Sequence, residues 1–382
     1  MDGCWRDERI QRNLAEISVN FSDNIKSIYI IAEAGVNHNG SLELAKKLVD
    51  VAVTAGADAV KFQTFKAEKV VRRFTPKATY QINNMGSDES QLEMLKKLEL
   101  DETSHRQLAH YCHQQNIDFL STPFDIESAD FLVNELKLKF LKIASGEITN
   151  APLLLRMAQL GRPIILSTGM STLEEVEVAL GVLAFGYVLS ENKPSLENFR
   201  KAYRSAAGKS ALKSKVVLLH CTSEYPAPFE EVNLRAIHTM RDAFNLPVGL
   251  SDHTLGIAIP IAAAALGINV IEKHFTLDQS LNGPDHKASL EPSELRAMIR
   301  SVRQVERSLG SPQKSPTPSE MKNRLVARRS IVAARDIRRG KRFEEGDLTV
   351  KRPGTGVHPT EYWNLIGREA TRDYLEDESI TL

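Results

Sequence analysis

Cysteine is scarce in this 382-residue chain: Cys4, Cys112 and Cys221 are odd in number and show no CxxC spacing. That argues against a disulfide framework and for reduced thiols in a cytoplasmic protein. Cys112 and Cys221 read as small buried hydrophobes. An excess of either charge is also missing. The 49 Lys and Arg balance 49 Asp and Glu, so nothing global attracts nucleic acid or an anionic membrane. Any anion site must be local. The opening residues, Met1 to Glu8, have none of the apolar core of a secretory signal. The most apolar stretch, Ile257 to Ile271, is interrupted by Pro260 and Asn269. It falls short of the roughly 20 residues a membrane span requires, and reads as a helix followed by a strand. Gly35 to Ser41 lacks both GxGxxG spacing and a following GK[ST], so it is not a nucleotide loop; Ser41 is placed to cap a helix starting near Leu42.

What the chain does have is chemistry repeated at strand ends. Eight apolar runs close in polar residues: Tyr29 to Glu33, Ala59 to Gln63, Phe119 to Thr122, Phe140 to Ser145, Ile164 to Thr168, Val216 to His220, Val248 to His253 and Val270 to His274. Helix-like stretches alternate with them, which predicts an α/β chain forming a parallel (β/α)8 TIM barrel with its active face at the strand C-termini. With 42% hydrophobic residues there is material for a large core, and the length predicts two domains. We divide the chain into an N-terminal extension (1–27), the barrel (28–310), a Pro- and Ser-rich linker (311–324) and a small domain of short strands (325–382). The long connection from Thr64 to Leu100 belongs on the active face and suits a substrate cover. The insertion Tyr187 to Lys215 belongs on the opposite face and is assigned no chemistry.

Lys61 and Lys142 sit inside apolar strands, where an ammonium needs an anion to compensate it. Glu33 and Glu147 are the internal candidates. Ser121, Thr122, Ser145, Ser167 and Ser251 at neighbouring strand ends favour a bound anion instead. His253 and His274 close adjacent strands; they either share a divalent cation or hydrogen-bond in the barrel mouth. Asp252 and Glu272 are expected to point away from them. His220 reads as a core histidine, Asp285 as either a solvated loop carboxylate or a sugar ligand, and Arg352 as surface charge.

In order along the chain, Ile31-Ala32-Glu33-Ala34-Gly35, Lys61-Phe62-Gln63, Ser121-Thr122-Pro123-Phe124, Lys142 to Glu147, Ser167 to Met170, His220-Cys221-Thr222, Tyr225-Pro226, Gly249 to Thr254 and Glu272 to Phe275 resemble the N-acetylneuraminate (sialic acid) synthase family. Val350 to Gly354 resembles the mostly-β SAF (antifreeze-like, β-clip) domain of the same enzymes. The resemblance implies condensation of phosphoenolpyruvate with an N-acylated hexosamine such as N-acetylmannosamine, or with a 2,4-diacetamido-trideoxy hexose giving a legionaminic- or pseudaminic-type acid. By it, Lys61, Thr122, Lys142, Ser145, Ser167, Ser223 and Ser251 would hold phosphoenolpyruvate. His253 and His274 would bind Mn²⁺, Mg²⁺ or Co²⁺. Glu33, Asn84 (or Asn83), Glu147, Tyr225 and Asp285 would address the sugar, with Glu33 and Glu147 handling protons. Arg352 would reach the acetamido group in the other subunit of a domain-swapped homodimer. A Schiff-base aldolase using Lys61 or Lys142 and a non-catalytic sugar-binding protein are the competing readings.

Overall fold

Strand alternation organises the first unit. The structure, a computed structural model, describes residues 27–86, 89–189 and 191–382, so the N-terminal extension, Ser27 apart, lies outside the described residues, as does Cys4. Eight strands follow the expected runs: β1 Tyr29–Gly35, β2 Ala59–Thr64, β3 Asp118–Pro123, β4 Leu141–Ile143, β5 Ile164–Ser167, β6 Val216–Cys221, β7 Val248–Asp252 and β8 Val270–His274. All pairings among them are parallel, in the order β3-β2-β1-β8-β7-β6-β5-β4. The ends of that order, β3 and β4, are spatial neighbours, so the sheet curves round into a barrel.

Two apolar layers result. Ile31, Ala59, Leu120, Phe140, Ile165, Val217, Leu219 and Val270 form a core inside the barrel. Residues of the other parity, such as Ile30, Val60, Leu141, Leu166 and Leu218, pack outward with the helices. Because side chains alternate along a strand, the residue two positions after an inner apolar one also faces inward. Ile31 thus leads to Glu33, Ala59 to Lys61, Leu120 to Thr122, Phe140 to Lys142, Ile165 to Ser167, Leu219 to Cys221 and Val270 to Glu272. The apolar layer is the floor, and these side chains stand above it at the C-terminal mouth.

Local signals set the helices. Ser41 Oγ accepts the Leu44 N–H at 3.3 Å and starts helix Leu42–Ala55, as its position predicts. The long connection after β2 carries helices Ala67–Val70, Thr79–Met85 and Gln91–Leu98; the last begins with a Ser90/Glu93 capping box and buries Met94 and Leu98. The insertion before β6 forms helices Leu196–Arg204 and Ala206–Lys215. No described helix is long and apolar enough to cross a membrane.

The second compact unit spans Ser311–Leu382. Its start corrects the expected linker, because Thr317 caps helix Pro318–Ala327 through a capping box with Glu320. Proline at the first helical position removes an N–H that has no acceptor there anyway. Beyond it, β9 (Ser330–Ala333) pairs antiparallel with β10 (Leu348–Lys351) over a core including Ile331, Phe343, Leu348 and Tyr374. Asp347 ties this unit together, accepting from Arg335 Nε at 2.8 Å and Lys341 Nζ at 2.6 Å. Against the upward push of burial, those bonds and the Glu344 N–H bring its carboxyl down to about 2.

Candidate active site

A cavity of about 710 Å³ opens at the strand C-termini. Of the site residues read from sequence, Glu33, Lys61, Thr122, Lys142, Ser145, Ser167, Ser223, Tyr225, Ser251, His253, His274 and Asp285 line it. Asn84 and Glu147 do not. Asn84 Nδ2 donates to the Pro284 carbonyl at 2.6 Å, bracing the loop that carries Asp285, and the Asn83 carbonyl accepts from Lys287 Nζ at 3.4 Å. Glu147 accepts from Asn150 Nδ2 at 2.7 Å. Arg352 lies in the second unit, where its Nε donates to the Ala327 carbonyl at 3.0 Å.

The floor of the cavity is a buried charge network. Lys61 Nζ lies 2.6 Å from Glu33 Oε2, 3.4 Å from Glu272 Oε2 and 3.0 Å from Thr122 Oγ1. Lys142 Nζ donates to Glu272 Oε1 at 3.1 Å, and Ser251 Oγ donates to the same oxygen at 2.9 Å. This corrects two expectations. The second internal carboxylate is Glu272, not Glu147, and Glu272 faces the site instead of turning from it. Glu272 and His274 are two residues apart, so alternation places them on one side of β8. Asp252 does turn away, as expected, and its Oδ2 meets the fully buried Lys273 Nζ at 2.6 Å between β7 and β8.

Burial raises the Glu33 carboxyl to about 7, even though Lys61 pulls it down. For Glu272 the balance reverses. Against burial, Lys142 and Lys61 hold it well below the usual carboxylate range. Burial lowers Lys142, while at Lys61 the two carboxylates outweigh burial and raise it. At neutral pH Lys61 and Glu272 are therefore charged, and Glu33 is poised to hold or release a proton.

The histidines stand beside this floor, with ring centroids 5.4 Å apart. Nδ1–H of His253 donates to the Thr222 carbonyl at 2.7 Å, which leaves Nε2 without a proton in the neutral ring. His274 is held well below its ordinary value by burial, then by His253 and Lys61. Its Nδ1 is buried without a hydrogen-bond partner, 4.0 Å from Asp285 Oδ2. Gly35, at φ +52°, makes this packing possible: a Cβ there would lie 3.2 Å from His274 Cε1 and 3.3 Å from Glu33 Oε1. Asp285 is itself buried, which removes the solvated alternative, and burial raises its carboxyl to about 6.

Hydroxyls complete the opposite wall. Ser145 Oγ accepts the Gly169 N–H at 3.0 Å, and a Cβ on Gly169 would lie 2.3 Å from Ser223 Oγ. Ser167 Oγ is buried and has no partner. Cys112 and Cys221 are both buried, as expected, and Cys221 also lines the cavity, 3.8 Å from His253 Nδ1. His220 meets its expectation of a structural role, pairing with the Val232 carbonyl at 2.6 Å. Tyr80 stacks near Tyr225, whose ring lies 4.1 Å from that of His253. Tyr80, Gln81, Gln91, Met94 and Leu95 add a wall that no strand-end pattern announces.

The Nε2 of His253, unprotonated in the neutral ring, and the imidazole of His274, with a buried and unpartnered Nδ1, suit a divalent cation. Among the described residues no group of three His, Cys, Asp or Glu side chains forms a fuller ligand set. Further donors would have to come from substrate or water.

Known proteins resemble this chain over most of its length. Residues 48–314 match the NeuB family model and residues 328–382 the SAF domain model. Over 356 residues the chain is 50% identical to an N,N'-diacetyllegionaminic acid synthase of Campylobacter jejuni, covering 93% of this chain and 99% of that one. An N,N'-diacetyllegionaminic acid synthase of Legionella pneumophila is 48% identical over 339 residues, 89% of each chain. The solved N-acetylneuraminic acid (sialic acid) synthetase of Leptospira borgpetersenii superposes with a TM-score of 0.62 at 33% identity, covering 78% of this chain and 90% of that one.

Proposed function

The chain belongs to the NeuB family of synthases and is an enzyme, and from that premise we propose that it condenses phosphoenolpyruvate with a 2,4-diacetamido-trideoxy hexose. The product would be a legionaminic-type nonulosonic acid. Two relatives of the same named activity, at 50% and 48% identity, move the acceptor from N-acetylmannosamine to this alternative. The observation that carries the reaction class is the floor network, where two buried lysines and two carboxylates face two histidines in one cavity. The enzyme would act in the cytoplasm.

Phosphoenolpyruvate would take the place of internal anions. Its phosphate and carboxylate fit Lys61, Lys142, Thr122, the unpartnered Ser167 hydroxyl and the Ser145, Ser223 and Ser251 group. Proton uptake by Glu33, whose carboxyl sits at about 7, would free Lys61 for the incoming charge. The enol C3 then forms a bond to the aldehyde carbon of the open-chain sugar, and the aldehyde oxygen takes the proton held by Glu33, which leaves Glu33 ionised. Water adds to the oxocarbenium carbon C2 and gives its proton to Glu33. The C2–O bond to phosphate then breaks as the new C2 hydroxyl gives its proton to the departing phosphate, and the keto acid remains.

A divalent cation, Mn²⁺ or a similar ion, would be held by His253 and His274 and would supply Lewis-acid polarisation of the aldehyde. Asp285 and Tyr225 flank the histidines and would fix the sugar, with Asn84 holding the Asp285 loop. Arg352 would reach the acetamido group from the second subunit of a homodimer.

The deciding assay measures phosphate release with phosphoenolpyruvate and each candidate acceptor, followed by mass spectrometry of the product. Release that requires the diacetamido sugar supports the assignment. A borohydride-trapped pyruvate adduct on Lys142, with activity surviving chelation, would replace it with a Schiff-base aldolase.

A further inference from the structure

The cavity carries positive side chains at its floor only. Its Lys and Arg lining consists of Lys61 and Lys142, both on the floor and both engaged with carboxylates. Away from the floor the wall is built by the connection after β2: Tyr80, Gln81, Gln91, Met94, Leu95 and Leu98. None of these carries a charge. Met94 and Leu98 are buried with Val36 and Phe65, and Leu95 packs against them. Gln81 is buried as well; its Oε1 accepts the Ala78 N–H at 2.9 Å and Gln91 Nε2 at 3.4 Å. The acidic lining residues other than Glu33 and Glu272 of the floor are Glu224 and Asp285, which would repel a further anion.

We infer that this outer wall selects an uncharged acceptor whose far end is apolar, and excludes one carrying a phosphate there. The inference rests on the synthase reading and extends it to named residues outside the strand ends. If phosphoenolpyruvate occupies the lysine floor and the aldehyde carbon must meet its C3 beside the histidines, the acceptor's other end runs toward helix Gln91–Leu98. A phosphate at that end would be desolvated with no lining lysine or arginine to receive it. A methyl group there meets Met94, Leu95 and Leu98, and an acetamido group meets the Gln81–Gln91 amide pair, which offers the donor and acceptor types it needs. A hydroxymethyl group gains the apolar contact less well, because its hydroxyl loses water.

The test is kcat/KM on the full-length enzyme for three acceptors: a 2,4-diacetamido-2,4,6-trideoxy hexose, N-acetylmannosamine and N-acetylmannosamine 6-phosphate. The unmodified enzyme should prefer the diacetamido sugar over the 6-phosphate by at least about 100-fold. Leu95→Lys and, independently, Gln91→Lys place an ammonium on the wall, and each should narrow that ratio at least about tenfold. Gln91 is only partly buried, so its variant covers the case in which Leu95→Lys disturbs the satellite core; binding of phosphoenolpyruvate by calorimetry reports whether the floor survives. A wild-type ratio near one overturns the inference, as does a ratio that neither variant moves while phosphoenolpyruvate still binds. Those results leave the synthase reading standing. Absence of phosphate release with every acceptor removes that reading itself.

Discussion

Lys61 and Glu33 meet at 2.6 Å with both side chains buried, and Glu33 still holds a carboxyl near 7. The pair therefore titrates within the working range of an enzyme. If Glu33 enters the cycle protonated, as the release of Lys61 requires, kcat/KM should fall as pH rises above about 7, and Glu33→Gln should abolish that limb together with most of the activity. Stability should move the same way. A carboxyl raised from 4.5 to about 7 binds its proton more tightly in the folded state, so its contribution is intact below 4.5 and lost as pH rises through 7. Glu33→Gln mimics the protonated form and should be more stable than wild type at pH 8, by about 3 kcal/mol at most, with the gap closing toward pH 4.5. Denaturant melts at both pH values decide this; a gap that does not depend on pH would show that Glu33 is not the titrating group.

The metal proposal can be checked by binding as well as by rate. Chelator-stripped enzyme should release no phosphate until Mn²⁺ is returned. His253→Ala and His274→Ala should each weaken Mn²⁺ binding by at least about 100-fold, as read by equilibrium dialysis. Thr222 offers a control, because only its backbone carbonyl holds His253: Thr222→Val should leave Mn²⁺ affinity within about threefold. Full activity after stripping would overturn the role of both histidines.

Much of this site was legible because a barrel strand enforces a period of two. Ile31 to Glu33, Ala59 to Lys61 and Ile165 to Ser167 each put an inner apolar residue below a polar one, and the sequence shows this directly. The same rule, applied to Val270, Glu272 and His274, puts Glu272 in the cavity, and applied to Leu219 it puts Cys221 there. For Glu272 this overturns the expected outward orientation, and for Cys221 it adds a place in the cavity wall to the expected burial. The capping box Thr317-Pro318-Ser319-Glu320 was likewise visible, hidden only by the prolines that mark a linker. The wall of Gln81, Gln91 and Met94 was a different matter. Met94 and Leu98 are four apart on a helix, a spacing that says the face is buried and nothing about whether a core or a cavity buries it.

The outward-facing side of β7 and β8 yields a stability prediction free of catalysis. Lys273 is fully buried and its Nζ donates to Asp252 Oδ2 and to the Thr254 carbonyl, while Asp252 also accepts the Thr254 N–H at 3.1 Å and its hydroxyl at 3.0 Å. Lys273→Met leaves a buried carboxylate with two of its bonds but no cation, and should cost about 3–5 kcal/mol. The thermal midpoint should drop clearly at neutral pH. An unchanged midpoint would mean that water already reaches this pair.

Arg352 supplies the sharpest test of assembly. It is exposed, and only its Nε–H is engaged within its own unit, at the Ala327 carbonyl. If the guanidinium completes a neighbouring subunit's sugar site, Arg352→Ala should raise the acceptor KM by at least about tenfold and leave phosphoenolpyruvate binding within about twofold, because a lost charged hydrogen bond is worth roughly 1.5–3 kcal/mol. The swap itself is read by mixing. A chain carrying Lys61→Ala has a dead floor and a sound arginine; a chain carrying Arg352→Ala has the reverse. In a purified heterodimer with a trans arginine, the Arg352→Ala chain's floor is paired with its partner's intact arginine, and about half of the sites recover wild-type acceptor KM. With a cis arginine both sites stay defective, and a heterodimer showing only the raised KM of the Arg352→Ala enzyme would refute the swap.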